Sequence, residues 1–448
     1  MTPRILFVAL SLLGSVAQAT DLLQAWQAAA GHDPQWLADQ SSGRADAQYD
    51  AQGRSFYQPK VGVRAGVGQG QLVQNTEGAH FATPNMASDQ VQFSTDLNNA
   101  SRQYWGVELR QPVLDAAAFA NATQLQQQAK AGGAQLELKR QMAMLRLADS
   151  YFGVLAARAS LRALETQLQA TSRALDVATA RYRNGDIPIT EQEEASARLA
   201  LLQAQLLASR QQVELAEQRY ALLTGESATR LSDLSVLDEK SGLDAGDLAT
   251  IVAQARQANP QIAISQASRE ATRAEVEKYR SWKSPKLELV AQAGEDRWHA
   301  GSALQNGRQN YIGLEVNIPI FTGGYRSAKL EESLARSDAS EYQLAQTGNA
   351  VEDMARASWL GLRQGMSRIK ALQLANAAIQ RQLDATQLGH DEGARTLLDV
   401  LNVQQAKAGL ESELAQTRYQ TALAWLQLQA ARGQLDINRI IQLNQLLR

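Results

Sequence analysis

Two kinds of hydrophobic pattern alternate along this chain, and the alternation occurs twice. Residues 113–183 and 321–389 are rich in Ala, Gln, Leu, Glu and Arg and contain no proline, which predicts two very long helices. At about 1.5 Å per residue, some 65 helical residues make a rod of about 100 Å. Shorter helices are predicted at about 188–224 and 395–432, each ending near a glycine, Gly225 and Gly433, a residue type that commonly closes helices. In the first of these, Ala195, Leu199, Leu202, Leu206, Ser209, Val213, Ala216, Tyr220 and Leu223 step by four and three residues without a break. That spacing is a coiled-coil seam. Many positions beside it are Ala, Gln or Ser, so these helices cannot be stable alone.

The segments between the helices alternate with period two. Val61, Val63, Ala65 and Val67 fall on one face, with Gly62, Arg64 and Gly66 on the other, and Trp105, Val107 and Leu109 oppose Gly106, Glu108 and Arg110. Further on, Leu287, Leu289, Ala291 and Ala293 oppose Glu288, Val290 and Gln292, while Ile312, Leu314, Val316 and Ile318 oppose Gly313, Glu315 and Asn317. Four strands are expected, at about 60–68, 103–112, 286–294 and 310–319. Each is about ten residues long with one apolar face, as a strand crossing a bilayer requires. Tyr104, Trp105, Trp298 and Tyr311 lie near corresponding strand ends, where an interfacial aromatic girdle would sit. The Gly/Asn/Ser-rich stretches 68–101 and 294–309 read as exposed loops.

The chain also repeats itself. Pro34 and Pro59 are 25 residues apart, as are Pro260 and Pro285, and Gly185 and Gly225 are 40 apart, as are Gly393 and Gly433. Pro112 and Pro319 occupy matching places. A repeat of about 200 residues exceeds solenoid periods and indicates a duplicated domain. The expected organisation is a leader at 1–19, a first repeat at 20–226, a linker at 227–250 and a second repeat at 251–448. Each repeat holds a helix, two strands, a long helix and a short helix.

The leader places the protein beyond the cytoplasm. Arg4 precedes an apolar run from Ile5 to Gly14, and Ala17-Gln18-Ala19 forms a small-residue cleavage pattern, so a cleaved signal is expected. No later stretch reaches the roughly 18 apolar residues of a membrane-spanning helix. The absence of cysteine removes disulfides, thiolate metal sites and the acylated cysteine of a bacterial lipoprotein. With 44 basic and 46 acidic residues, nothing marks a nucleic-acid surface. His32, His80, His299 and His390 are too dispersed for a His-based metal site. No enzyme, cofactor or metal is expected.

Four strands cannot close a barrel, because their two free edges would carry unpaired backbone groups into hydrocarbon. Single-chain barrels start at eight strands. Copies of the chain must therefore combine into 8, 12 or 16 strands, a choice that periodicity leaves open.

The segment Gly393-Ala394-Arg395-Thr396-Leu397-Leu398-Asp399-Val400-Leu401-Asn402, its first-repeat partner Arg181 to Glu191, and the stretches Leu414–Tyr419 and Leu426–Gly433 resemble the TolC family of outer-membrane efflux and secretion proteins. The resemblance covers essentially the whole mature length. It implies a mainly α fold with membrane β-structure: a homotrimer with twelve strands in one shared barrel, and long coiled-coil helices continuing as a periplasmic α-barrel. It implies that Asp399 rings a pore constriction and that Asn402 occupies the place of a second acid, which halves the expected ring charge. Arg395, Thr190 and Glu191 match positions that link neighbouring helix pairs and hold the entrance shut, and His390 stands where an aromatic gate partner is common. Three carboxylates converging in a narrow pore would attract cations and raise one another's pKa.

The function implied is a passive exit duct for substrates handed over by a periplasmic adaptor (membrane fusion) protein and an inner-membrane ABC or other transporter. The exported cargo is a protein or a small molecule, and outer-membrane lipid surrounds the barrel. The missing lipoprotein cysteine and the short C-terminal tail lean toward type I protein secretion over multidrug efflux. From the helices alone, a periplasmic coiled-coil adaptor is the competing reading. The outward Val, Leu and Ile of four strands count against it.

Overall fold

The computed structural model describes residues 19–234, 237, 241–243 and 245–447. The expected signal peptide therefore lies, apart from Ala19, outside the described residues. The first repeat contains α1 (Leu22–His32), α2 (Pro34–Ser55), β1 (Lys60–Thr83), β2 (Met86–Leu114), α3 (Ala116–Asn184) and α4 (Ile189–Thr224). The same order returns as α5 (Leu248–Ala258), α6 (Pro260–Arg280), β3 (Lys286–Ala300), β4 (Ala303–Asn317), α7 (Tyr325–Asp391) and α8 (Leu397–Ala431), before a short α9 (Ile437–Asn444). The expected single helix before each strand pair is two helices. Each break falls at the repeated proline, because the residue before a proline is driven out of the α region. Helix α5 begins inside the expected linker, and α9 had no counterpart in the sequence reading.

The chain divides into two compact units. One contains the described residues up to Arg44, Gly132–Ser265 and the chain from Leu344 onward. Its core is built from the helices, with Tyr151, Trp425, Leu426 and Leu428 almost wholly buried. The Tyr151 hydroxyl meets the carbonyls of Ser232 at 2.7 Å and Thr20 at 3.0 Å, and the Tyr419 hydroxyl donates to Asp233 at 2.7 Å. Burial raises the phenols of Tyr151, Tyr419 and Tyr220, the last to about 12, so they remain neutral. At α9, the Asn444 side chain donates to Asp21 at 2.8 Å and accepts from the Leu22 N–H at 3.0 Å.

The stripe expected as a seam on α4 lies on its covered face. Each of its nine positions is buried or half-buried. A second stripe on the same helix, Leu201, Ala208, Leu215 and Leu222 at strict seven-residue spacing, is exposed. That spacing is itself a coiled-coil period.

The other unit, Ala45–Ala131 and Gln266–Gln343, carries a four-stranded antiparallel sheet in the order β1-β2-β3-β4. Directly paired residues share a face, so the register assigns the faces. Val61, Leu109, Ala291 and Ile312 form one row, with Leu289 beside Leu314 and Leu287 beside Val316 in adjacent rows. This apolar face is the bare one: Val63, Val67, Ile312 and Leu314 are each more than 60% exposed. The polar face is laced with ion pairs. Arg64 meets Glu108, Arg110 meets Glu108, Glu288 and Glu315, and Arg102 meets Asp296.

Three expectations about the strands are corrected. The stretches 68–101 and 294–309 are mostly strand, with turns only at residues 84–85 and 301–302. Their Gly, Asn and Ser argue weakly against strand, and continuous pairing with a partner overrides so weak a preference. The last strand ends at Asn317, just before Pro319. The aromatic girdle also fails for most of its members. Tyr104, Trp298 and Tyr311 fall on the rows of Asp296, Arg102 and Gln292, on the polar face, and only Trp105 lies on the apolar one. Position along a strand does not decide which face a residue occupies; parity does. Arg102 lies over the Tyr104 and Trp298 rings, 4.7 and 5.2 Å from their centroids.

Candidate functional site

The residues singled out from the sequence lie at the two turns where α3 reverses into α4 and α7 into α8. The turns are built alike. At the first, the Gly185 N–H donates to the Tyr182 carbonyl at 2.9 Å and the Asp186 N–H to the Arg181 carbonyl at 2.9 Å. At the second, the Gly393 N–H donates to the His390 carbonyl at 2.9 Å and the Ala394 N–H to the Gly389 carbonyl at 2.7 Å. Both glycines are left-handed, with φ of +82° and +76°. This double bond satisfies the last helical carbonyls. The chain then re-enters a helix within four residues.

Helix α8 starts with a reciprocal cap. The Thr396 hydroxyl accepts from the Asp399 N–H at 3.2 Å, and the Asp399 carboxylate accepts from the Thr396 N–H and hydroxyl, both at 3.0 Å. Two orphan donors of the first turn are thereby satisfied. The Thr396 backbone bond, then its hydroxyl, and the charge of Arg395 hold the Asp399 carboxyl below its ordinary value. Asp399 therefore has a structural role that its assignment to a constriction had missed. The signal was present as Thr396-x-x-Asp399, a capping-box spacing.

Arg395, Asp399 and Asn402 line one recess with Gln382 and Thr386 of α7. Glu191 and His390 line a different groove, with Arg173 and Arg181 of α3. The His390 ring is tied across its own turn, Nδ1 donating to the Arg395 carbonyl at 3.1 Å. Thr190 is exposed and lines neither recess. Among the described residues no ion pair joins Arg395 to Glu191, and the two line different recesses, so one chain does not bring Arg395 to the Thr190–Glu191 turn.

What does bridge α4 and α8 is Arg198. It donates to Asn402 Oδ1 at 3.2 Å and to the Gln405 side chain. With Arg198 and Asn402 204 positions apart in the chain, no local pattern could have exposed this contact. Arg198→Ala should remove about 0.5 kcal/mol of local stability, the scale of a part-exposed polar pair. Hydrogen exchange is expected to quicken in the first turns of α8 and remain unchanged in α9.

The arrangement supplies polar and charged groups at helix turns, and the hydroxyl of Thr396 that meets the Asp399 carboxylate is engaged in the cap of α8. The family model for outer membrane efflux proteins matches residues 13–226 and 251–434. The chain belongs to the outer membrane efflux protein family. This efflux protein is 26% identical to "Outer membrane protein TolC" of Escherichia coli (strain K12), over all of this chain and 89% of that one. It is 28% identical to "Proteases secretion protein PrtF" of Dickeya chrysanthemi, over 98% of this chain and 94% of that one. Its fold matches the crystal structure of the Campylobacter jejuni CmeC outer membrane channel with a TM-score of 0.76 at 16% identity, over all of this chain and 98% of the other. The two matched segments agree with the internal duplication. Membership makes the efflux protein a channel component, neither an enzyme nor the coiled-coil adaptor that the helices alone allowed.

Proposed function

We propose that three copies of this chain form a passive channel-tunnel across the outer membrane and into the periplasm. Twelve strands would close one barrel, and the helices of the three copies would continue it as a hollow tunnel. The observation that carries this reading is the sheet itself, with free edges at β1 and β4 and an exposed apolar face. Such edges are not tolerated in hydrocarbon unless paired. The exposed heptad stripe of α4 gives the helices a corresponding surface for neighbouring copies.

Substrates would be delivered by an inner-membrane ABC or other transporter through a periplasmic adaptor docked at the helix turns. Type I protein secretion is the favoured branch, supported by the near full-length likeness to a relative named for protease secretion. Asp399 and Asn402 would face the narrow end of the tunnel, with Arg395, Thr190, Glu191 and His390 holding neighbouring helix pairs together there.

The assembly is tested in outer-membrane fractions run with and without boiling. A detergent-resistant species at about three times the chain mass, which boiling collapses, is the expected result; a monomer found only in the soluble periplasm would overturn it. In planar bilayers, Arg395→Ala or Glu191→Ala should raise single-channel conductance without loss of the oligomer. Unchanged conductance in both variants would remove those residues from the entrance.

A further inference from the structure

In the shared barrel proposed above, on which this seam rests, the free edges of neighbouring copies must pair in one register. On the bare apolar face, β4 presents Ile312, Leu314 and Val316, with Ile318 just beyond its end, and β1 presents Val61, Val63, Ala65 and Val67. Both sets run at period two, and the two strands are free edges of one sheet. Antiparallel pairing that sets Ile312 against Val67 also sets Leu314 against Ala65, Val316 against Val63 and Ile318 against Val61. Every apolar residue of one edge then faces an apolar residue of the other.

The opposite face tests that alignment independently. The same pairing places Glu315 of one copy opposite Arg64 of the next. Within a chain the polar face already runs from Arg64 to Glu108, from Glu108 to Arg110 and from Arg110 to Glu315. The Arg64 side chain remains 76% exposed and that of Glu315 50% exposed, so each has capacity for a further partner. Slipping the seam by two residues either way puts Gly313 or Asn317 opposite Arg64 and removes the charge match.

The glycines agree as well. Gly66 would face Gly313, and each lies under a tyrosine: a Cβ added at Gly66 would lie 2.6 Å from the Tyr104 ring, and one at Gly313 would meet the Tyr311 hydroxyl. Aromatic cover of edge glycines is a recognised means of pinning strand register.

The alignment also fits barrel geometry. Within a chain Arg64 shares a row with Gln309, whereas across the seam it faces Glu315, six residues further along β4. Six residues of stagger per four strands, at about 3.3 Å per residue and about 4.8 Å per strand, corresponds to a strand tilt of about 45°. Membrane barrels tilt by about 35–45°.

The geometry points to a seam in which β4 of one copy pairs antiparallel with β1 of the next, Glu315 opposite Arg64. A continuous belt of alternating charges then lines the inside of the barrel. The partner recognised by each edge is a second copy of this chain.

Because the chain contains no cysteine, an Arg64→Cys, Glu315→Cys double variant carries a single thiol pair. In one chain these positions lie three strand spacings and six residues of stagger apart, about 24 Å, beyond the roughly 7 Å that a disulfide spans. Mild oxidation of the variant in outer-membrane fractions, followed by boiling without reductant, is expected to give covalent dimers and trimers that reductant collapses. Arg64→Cys paired with Gly313→Cys or Asn317→Cys should cross-link several-fold less. A shifted pair that cross-links best overturns the register while leaving the shared barrel intact. No cross-link in any pair, with the heat-sensitive oligomer still present, overturns the seam. An absent oligomer overturns the shared barrel and the seam together. A second readout uses charge: R64E and E315R should each lower the temperature at which the oligomer dissociates, and the combined variant should recover most of the loss. Additive losses in the combined variant overturn the pairing.

Discussion

Gly433→Ala is expected to destabilise the helical unit by about 3 kcal/mol, combining the cost of a left-handed non-glycine residue with forced overpacking. Gly433 follows α8 at φ +68°, where its N–H donates to the Ala430 carbonyl at 2.9 Å and the Gln434 N–H to the Gln429 carbonyl at 2.8 Å. A Cβ there would overlap the Ala258 carbonyl oxygen and lie 2.9 Å from the Asn259 nitrogen. The obstacle is backbone, and it is pinned: buried Asn259 donates its side-chain amide to the Ala431 carbonyl at 2.9 Å and accepts from the Gln261 N–H at 2.9 Å. The same place in the first repeat is softer. Gly225, at φ +72°, faces the His32 ring, a side chain that can rotate away, so Gly225→Ala should cost about 1–2 kcal/mol. Thermal unfolding of the two variants, side by side, reads the difference. Equal losses would mean that backbone conformation alone sets the cost and that the close approach at Ala258 contributes nothing.

That contrast illustrates which features of this molecule are legible in its sequence. The repeat is written in residues whose backbone demands are absolute. Pro34 and Pro260 break helices, Gly185 and Gly393 turn them, and Gly225 and Gly433 end them, so the order of elements follows from spacing. Helices α3, α4, α7 and α8 were readable because proline-free stretches of strong helix formers admit few alternatives. Strand length was not readable. The residues of the β1–β2 ribbon beyond Ser101 have loop-like composition, and only pairing with each other keeps them extended. The faces of Tyr104, Trp298 and Tyr311 were readable by parity, which outweighs their position along the strand. At the turns, Thr396 and Asp399 carried a local signal for the cap. The contact of Arg198 with Asn402 could not be read, because neither residue's neighbours in sequence refer to the other. The departure at Asn402 gains a physical meaning from it: the side chain at this position accepts a hydrogen bond from α4 within its own chain.

Asp399→Asn is expected to weaken block of the channel by multivalent cations on the order of tenfold, because three converging carboxylates are what a narrow cationic site requires. The cap of α8 distinguishes this from a folding defect. An asparagine oxygen can still accept from the Thr396 N–H, so the first turn of α8 should remain formed and the oligomer intact. Asp399→Ala removes both the charge and the acceptor, and should lose the block while also quickening hydrogen exchange at the start of α8. Two opposed influences would act on the carboxyl in the proposed channel. The Thr396 bonds and Arg395 lower its pKa, while like charges from neighbouring copies raise it. Because the Thr396 bonds are direct, the carboxyl should stay ionised through neutral pH, with the block persisting down to the ordinary aspartate range and fading only below it. The cap follows the same sign: a carboxyl of depressed pKa stabilises the turn above its unfolded value and loses that contribution as pH falls through the folded one. A block that titrates well above the ordinary aspartate range would mean that repulsion between copies outweighs the cap, and so that the three carboxylates stand closer together than the capping geometry requires. A block unchanged in both variants would remove Asp399 from the constriction and leave it as the N-terminal cap of α8.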